Sequence, residues 1–263
     1  MGEGDEMIDH LSPSQIGMYL RCGKQYEYRY MKGIIIPPTG VMVLGSAYHD
    51  GVADRFRYVI DHKEQPDPQL ALDTFDSSFE RIKTNRTIKE EEDFFEFDEV
   101  EWEEDAGMLK DTGIALLKDY EQGIARVTIP MTVETKEFLA IQPDPEEAPI
   151  PIHLVTDLTT PVNTIDHKVK SKKFSESELA QNLQATIYPM ATGKPLIFHV
   201  AKKTKTPIVE IQPAPRVETD VIWFVRQADR VWKAIHAGIF VPNNQGWWCS
   251  PDWCGYWRLC QGG

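Results

Sequence analysis

Apolar positions recur at helical spacing through the first half of the chain and alternate with polar ones through much of the second. Ser12-Pro13 opens a helix, with Ser as N-cap and Pro at the first helical position. Ile16, Tyr19, Leu20, Cys22, Tyr26 and Tyr30 carry that helix to about Met31, and Gly33 ends it. An extended linker, Ile34 to Pro38, leads to a second helix from near Leu44 to about Ile60, with Leu44, Tyr48, Val52 and Phe56 as its core face. A third helix spans about Pro68 to Lys83, and a fourth about Trp102 to Ile124. Thr128 to Ile141 alternates as a strand, and a loop rich in Pro and Glu leads into a hairpin from about Ile152 to Val169. Ser175 and Glu178 form a capping box that opens a helix to about Ala191, with a kink expected at Pro189. Leu196 to Ala201 and Pro207 to Ile211 are further strands, and a last helix spans about Glu218 to Ala237. Pro242 to Gly263 is irregular. This order specifies an α/β fold, a central mixed sheet flanked by helices.

The 263 residues divide into a disordered tail over 1–10 and a single domain over 11–263. Within the domain, 12–125 is helical, 128–237 is the sheet core and 242–263 is the cysteine-rich tail. No apolar run is long enough to span a bilayer, and the N-terminus is acidic and polar, unlike a signal peptide. The expectation is a cytoplasmic protein with no membrane partner. The net charge of −13 by itself argues against a nucleic-acid partner. The charge is uneven, however. Glu90 to Asp105 is an acidic block, read as a solvated loop and helix start, while Lys168 to Lys205 forms a basic zone.

Candidate chemistry concentrates in the hairpin. With Pro161 and Val162 at its tip, Asp157 lies directly opposite Asp166, and strand alternation puts Asp166, Lys168 and Lys170 on one face with His167 on the other. Facing carboxylates repel. A divalent cation between them, Mg²⁺ or Mn²⁺, removes that cost, and the Lys168 ammonium reaches the same place. The same residues also read as an ordinary surface hairpin with two solvated acids. His49, alone on the second helix, reads as a hydrogen-bonded core or surface residue. Gln184 and Tyr188 lie one turn apart on one helix face.

Cys249, Cys254 and Cys260 lie close together, with Cys22 far away on the first helix. The spacings are wider than the knuckles of structural zinc sites. Four thiolates so placed fit an iron–sulphur cluster, [4Fe–4S], joining the N- and C-terminal regions.

In this order the motifs resemble the RecB-type branch of the PD-(D/E)xK nucleases. The likeness is to its iron–sulphur members: the CRISPR-associated adaptation exonucleases, their phage relatives and the AddB nuclease domain. Ser12 to Cys22 is similar to the family's opening helix with its first cluster cysteine. Gly45 to His49 resembles the motif whose His helps bind the metal. Thr156-Asp157 and Ile165-Asp166-His167-Lys168 match the acidic and Asp-x-Lys motifs, and Gln184 with Tyr188 the Gln-x-x-x-Tyr motif. One departure is Leu154, where the family often has Gly.

The resemblance implies a restriction-endonuclease-like core and a metal-dependent DNA exonuclease, mostly on single strands. Its metal would be held by His49, Asp157, Asp166 and the backbone carbonyl of His167. Asp157, Asp166 and Lys168 would be catalytic, with Gln184 and Tyr188 against the strand being cut. Lys170, Lys172 and Lys173 would track the phosphate backbone. Recombination, repair or CRISPR-adaptation proteins are the partners it implies, in the host cytoplasm for a phage-encoded member. Two other readings stand beside it: a non-catalytic DNA-binding or assembly subunit with the same fold, and a zinc-stabilised acidic interaction protein.

Overall fold

A computed structural model describes residues 8–85, 87–90, 93–96 and 99–260. Most of the expected tail, and Glu91, Glu92 and Asp98 of the acidic block, lie outside the described residues. Helix α1 (Pro13–Arg21) starts as expected. Ser12 Oγ accepts from Gln15 N at 3.2 Å, and Gln15 Oε1 accepts from Ser12 N at 3.3 Å. The single helix expected to Met31 is instead broken at Cys22, whose backbone is extended (φ −165°, ψ 112°). The chain restarts as α2 (Gly23–Tyr26) and widens into a π-helical turn, Glu27–Met31, before Gly33 closes it at φ 64°. Gly23 stands where a Cβ would meet Val241 N at 2.9 Å, so backbone packs against backbone at the break.

Helix α3 (Gly40–His62) begins four residues before the expected Leu44, because Gly40 N donates to Glu101 O at 2.8 Å and fixes the start there. Helix α4 (Gln69–Asn85) follows. The acidic block is corrected: its start belongs to an antiparallel strand pair, β1 (Thr87–Glu90), which ends at its first residue, and β2 (Asp93–Glu96) within it. Thr87, Ile88, Phe94 and Phe95 are strand formers, and their preference outweighs the acidic composition. The expected helix start does hold at Asp105, which accepts from Met108 N at 3.0 Å and caps α5 (Ala106–Gln122). A short α6 (Ile124–Val127) leads to β3 (Thr132–Ile141), β4 (Ile150–Thr159) and β5 (Thr164–Lys170).

The Ser175/Glu178 capping box opens α7 (Glu176–Gln181). The helix expected to continue to Ala191 breaks at Asn182, not at Pro189. Asn182 Oδ1 accepts from Ala185 N at 3.0 Å and starts α8 (Gln184–Thr192), which runs through Pro189. Strands β6 (Leu196–Lys202) and β7 (Ile208–Pro213), helix α9 (Glu218–His236) and a one-turn α10 (Trp257–Cys260) complete the described chain.

The five-stranded sheet has the order β3-β4-β5-β6-β7. β4–β5 and β6–β7 are antiparallel and β5–β6 is parallel, so the sheet is mixed, as expected. A parallel pair needs a crossover, and α7 and α8 supply it.

The chain forms two compact units. One comprises Pro37–Glu137 and Val155–Arg216; the other comprises Met1–Ile36, Phe138–Leu154 and Val217–Gly263. In the first, Leu158 and Ile165 of the hairpin pack with Tyr48, Phe56, Phe75, Leu117 and Tyr120 from α3, α4 and α5. On α5, Met108 is 69% exposed and Leu109 beside it is buried. No helix among the described residues is long and apolar enough to cross a membrane.

Candidate active site

The hairpin has the register its sequence predicts. Leu158 pairs with Ile165 and Thr159 with Thr164, and Thr160 N donates to Asn163 O at 2.8 Å across a tip formed by Pro161 and Val162. One step further out, Asp157 takes over from the ladder: its Oδ2 accepts the His167 backbone N–H at 2.7 Å. A side chain bonded to the opposite strand's backbone is held in one orientation. Asp157 Oδ2 also lies 3.3 Å from His49 Nδ1 on α3.

Asp166 is 1% exposed. Lys168 Nζ lies 2.8 Å from its Oδ2 and 3.1 Å from its Oδ1, which confirms that the two side chains share a face. Gln184 Nε2 donates to Asp166 Oδ1 at 3.1 Å and to Tyr188 Oη at 2.9 Å. Tyr188 Oη in turn donates to Val155 O at 3.0 Å. His49 and Asp157 form one contact group at this hairpin, and Asp166, Lys168, Gln184 and Tyr188 form another. Lys170, Lys172 and Lys173 are not part of either group. Lys170 pairs with Glu178 at 3.5 Å and lies over the Phe174 ring, and Lys172 and Lys173 are exposed.

The two carboxylates are pushed in opposite directions. Burial pushes Asp166 above the ordinary carboxylate range, the repulsion of Asp157 adds to it, and Lys168 opposes. Burial acts the same way on Asp157, but His49, the hydrogen bond from His167 and Lys168 outweigh it and hold Asp157 well below that range. His167 points away from Asp166, as expected. Burial lowers its imidazole, and burial pushes neighbouring His199 down to about 2.

Among the described residues, no three His, Cys, Asp or Glu side chains converge closely enough to hold one metal ion. The donor chemistry of the hairpin nevertheless fits a hard divalent cation. The two carboxylates are near enough to repel one another, and Asp166 Oδ2 is buried without a hydrogen bond, with the Lys168 ion pair opposing its charge.

Glu134 on β3 was not singled out from the sequence. It lines the same small cavity as His49, Asp157 and His167, pairs with Arg57, and has a backbone φ of 43°, which non-glycine residues rarely adopt. Nothing in its local sequence marks it. Tyr120 and His199 also adjoin the site and were not singled out from the sequence.

In the other unit, Cys22, Cys249, Cys254 and Cys260 line one cavity of about 240 Å³. All four are free thiols. Gln25 Nε2 donates to Cys254 Sγ at 3.2 Å and Asn243 N to Cys22 Sγ at 3.4 Å. Desolvation, together with the other three thiols, pushes Cys249 up.

A mixed sheet here presents two acids and a lysine from one hairpin. The family model for the PD-(D/E)XK nuclease superfamily matches residues 10–261, and the chain belongs to this superfamily. No curated protein matches the chain. A crystal structure from Eubacterium rectale, described as a putative exonuclease, is similar with a TM-score of 0.54 at 13% identity, over 92% of this chain and 87% of that one. At that identity the likeness bears on the fold alone. A second solved structure, SSO0001, has a TM-score of 0.37 at 12% identity over 95% of both chains, too low to carry an argument.

Proposed function

We propose that this chain is a divalent-metal-dependent deoxyribonuclease, an exonuclease acting on single-stranded DNA inside the cell, of the RecB-type iron–sulphur branch of its superfamily. One observation carries the reading: two groups flank the β4–β5 hairpin, His49 with Asp157, which accepts from the His167 backbone, and Lys168 with Gln184 on Asp166. Asp157, Asp166, His49 and the His167 carbonyl would hold Mg²⁺ or Mn²⁺. When bound, the ion polarises a phosphoryl oxygen and lowers the pKa of a bound water. Lys168 orients that water and offsets charge developing on the phosphate. Gln184 fixes Asp166 and Tyr188 together on the side where the strand is cut. Lys172 and Lys173, exposed just beyond the hairpin, follow the phosphate backbone.

The four cysteines would hold a [4Fe–4S] cluster with a structural role, tying residues near Cys22 to the C-terminal tail. The shared cavity and the two N–H···S contacts support this. Recombination, repair or CRISPR-adaptation proteins are the partner class in keeping with such an exonuclease.

The test is digestion of end-labelled single- and double-stranded DNA with Mg²⁺, Mn²⁺ or a chelator. The expected result is stepwise loss of label from single strands, absent with chelator and in Asp166→Ala. Cleavage that persists in chelator, or in Asp166→Ala, would refute the assignment.

A further inference from the structure

On the face of β5 opposite Asp166, three buried side chains form a continuous hydrogen-bonded row. Tyr120 of α5 stands between His167 of β5 and His199 of β6, its Oη 3.0 Å from His167 Nε2 and 2.8 Å from His199 Nδ1. None of the three is more than 2% exposed. The parallel register sets His167 directly beside His199, so both rings reach the same phenol. A Tyr hydroxyl has one proton to give, and each neutral imidazole has one. The row therefore has only two polarities.

The far side of His167 selects between them. His167 Nδ1 lies 3.5 Å from Asp157 Oδ2. A bare lone pair there would face a carboxylate; an N–H faces it favourably. With that proton on Nδ1, Nε2 must accept, so Tyr120 donates to His167 and His199 Nδ1–H donates to Tyr120. Every proton in the row is then assigned.

We propose that His199, Tyr120 and the His167 side chain are positioning residues, a buried relay that fixes the orientation of the Asp157 carboxylate for a divalent cation. The proposal rests on the nuclease reading of the hairpin and gives the His167 ring a role beyond its backbone. The backbone N–H of His167 holds Asp157 Oδ2 from one direction, and the ring N–H restrains it from another. Residues that orient metal ligands from behind typically change metal affinity roughly ten- to a hundredfold when removed.

The test uses metal-free protein and no DNA. Nitrogen-15 spectra of histidine-labelled wild type should show His167 with its proton on Nδ1. In Tyr120→Phe the His167 Nε2 signal should shift as that nitrogen loses its hydrogen-bond donor while Nδ1 keeps its proton toward Asp157, and calorimetric Mg²⁺ affinity should fall roughly tenfold or more. Tyr48→Phe is the control: Tyr48 Oη is buried with no hydrogen-bond partner among the described residues, so its loss should leave Mg²⁺ affinity within about twofold, as expected for a group outside the relay. A wild-type His167 with its proton on Nε2 overturns the proposal whatever the protein cleaves, and needs no variant to fold. Unchanged Mg²⁺ affinity in Tyr120→Phe, with cleavage still lost in Asp166→Ala, would overturn the relay and leave the nuclease reading standing.

Discussion

Within one hairpin, two aspartates of the same chemistry meet opposite environments. Asp157 is stabilised as an anion by a backbone N–H and two imidazoles, while Asp166 is buried with one oxygen lacking a hydrogen bond. Removing Asp166 relieves repulsion and deletes that oxygen. Asp166→Ala should therefore lose cleavage yet melt at or above the wild-type temperature; a large drop in melting temperature would show the carboxylate to be structural. Lys168 faces the same carboxylate from a half-exposed position. Lys168→Ala should lower kcat far more than it weakens DNA binding, and equal losses in turnover and in a binding titration would contradict its assigned role. Away from the hairpin, Arg55 and Glu121 form a buried ion pair at 2.9 Å. Arg55→Met leaves Glu121 buried and unpaired, a loss of about 3–5 kcal/mol at neutral pH. Burial already raises Glu121 above its ordinary value, and Arg55 counteracts that. Without Arg55 the folded-state pKa rises further. The penalty is thus fully present above it and shrinks as pH falls and Glu121 is protonated. Urea melts of the variant and wild type at neutral and mildly acidic pH should show the gap narrowing in acid.

At the scale of elements, helix contacts turn on two glycines with opposite surroundings. Gly113 of α5 stands where a Cβ would meet the Phe75 ring of α4 at 2.2 Å and Leu44 of α3 at 2.8 Å. Alanine gains about 1 kcal/mol of helix propensity over glycine. Overpacking costs about 1–3 kcal/mol, and here the obstruction is a buried ring that cannot move aside. Gly113→Ala should be destabilising despite the propensity gain. Gly45 of α3 has open space at its Cβ position, so Gly45→Ala should be stabilising by up to about 1 kcal/mol. Chemical denaturation of the two variants side by side checks both signs. The helix breaks at Cys22 and Asn182 have the same kind of origin. Each is imposed or capped by a particular contact, and neither interrupts the apolar periodicity that a sequence displays.

For the whole molecule, the proposed cluster is a long-range staple: Cys22 and Cys254 sit in one cavity although most of the chain separates them. Linking such distant residues makes ligand binding part of the folding free energy. Cys22→Ser and Cys254→Ser should purify with iron and sulphide lost and a lowered melting temperature. Wild type prepared without oxygen should carry both; stoichiometric zinc without iron would overturn the cluster. The hairpin, the shared face of Asp166 and Lys168 and the mixed sheet were legible in the sequence. They follow from short-range rules: alternation along a strand, turn chemistry at Pro161, and capping at Ser12 and Ser175. The strand pair in the acidic block was hidden by its charge, which masked strand-forming residues. Tyr120 lies 47 residues from His167 and 79 from His199. No periodicity connects such positions. Only packing of α5 on the parallel β5–β6 pair brings them together, because burial in three dimensions, not order along the chain, decides which polar groups must satisfy one another.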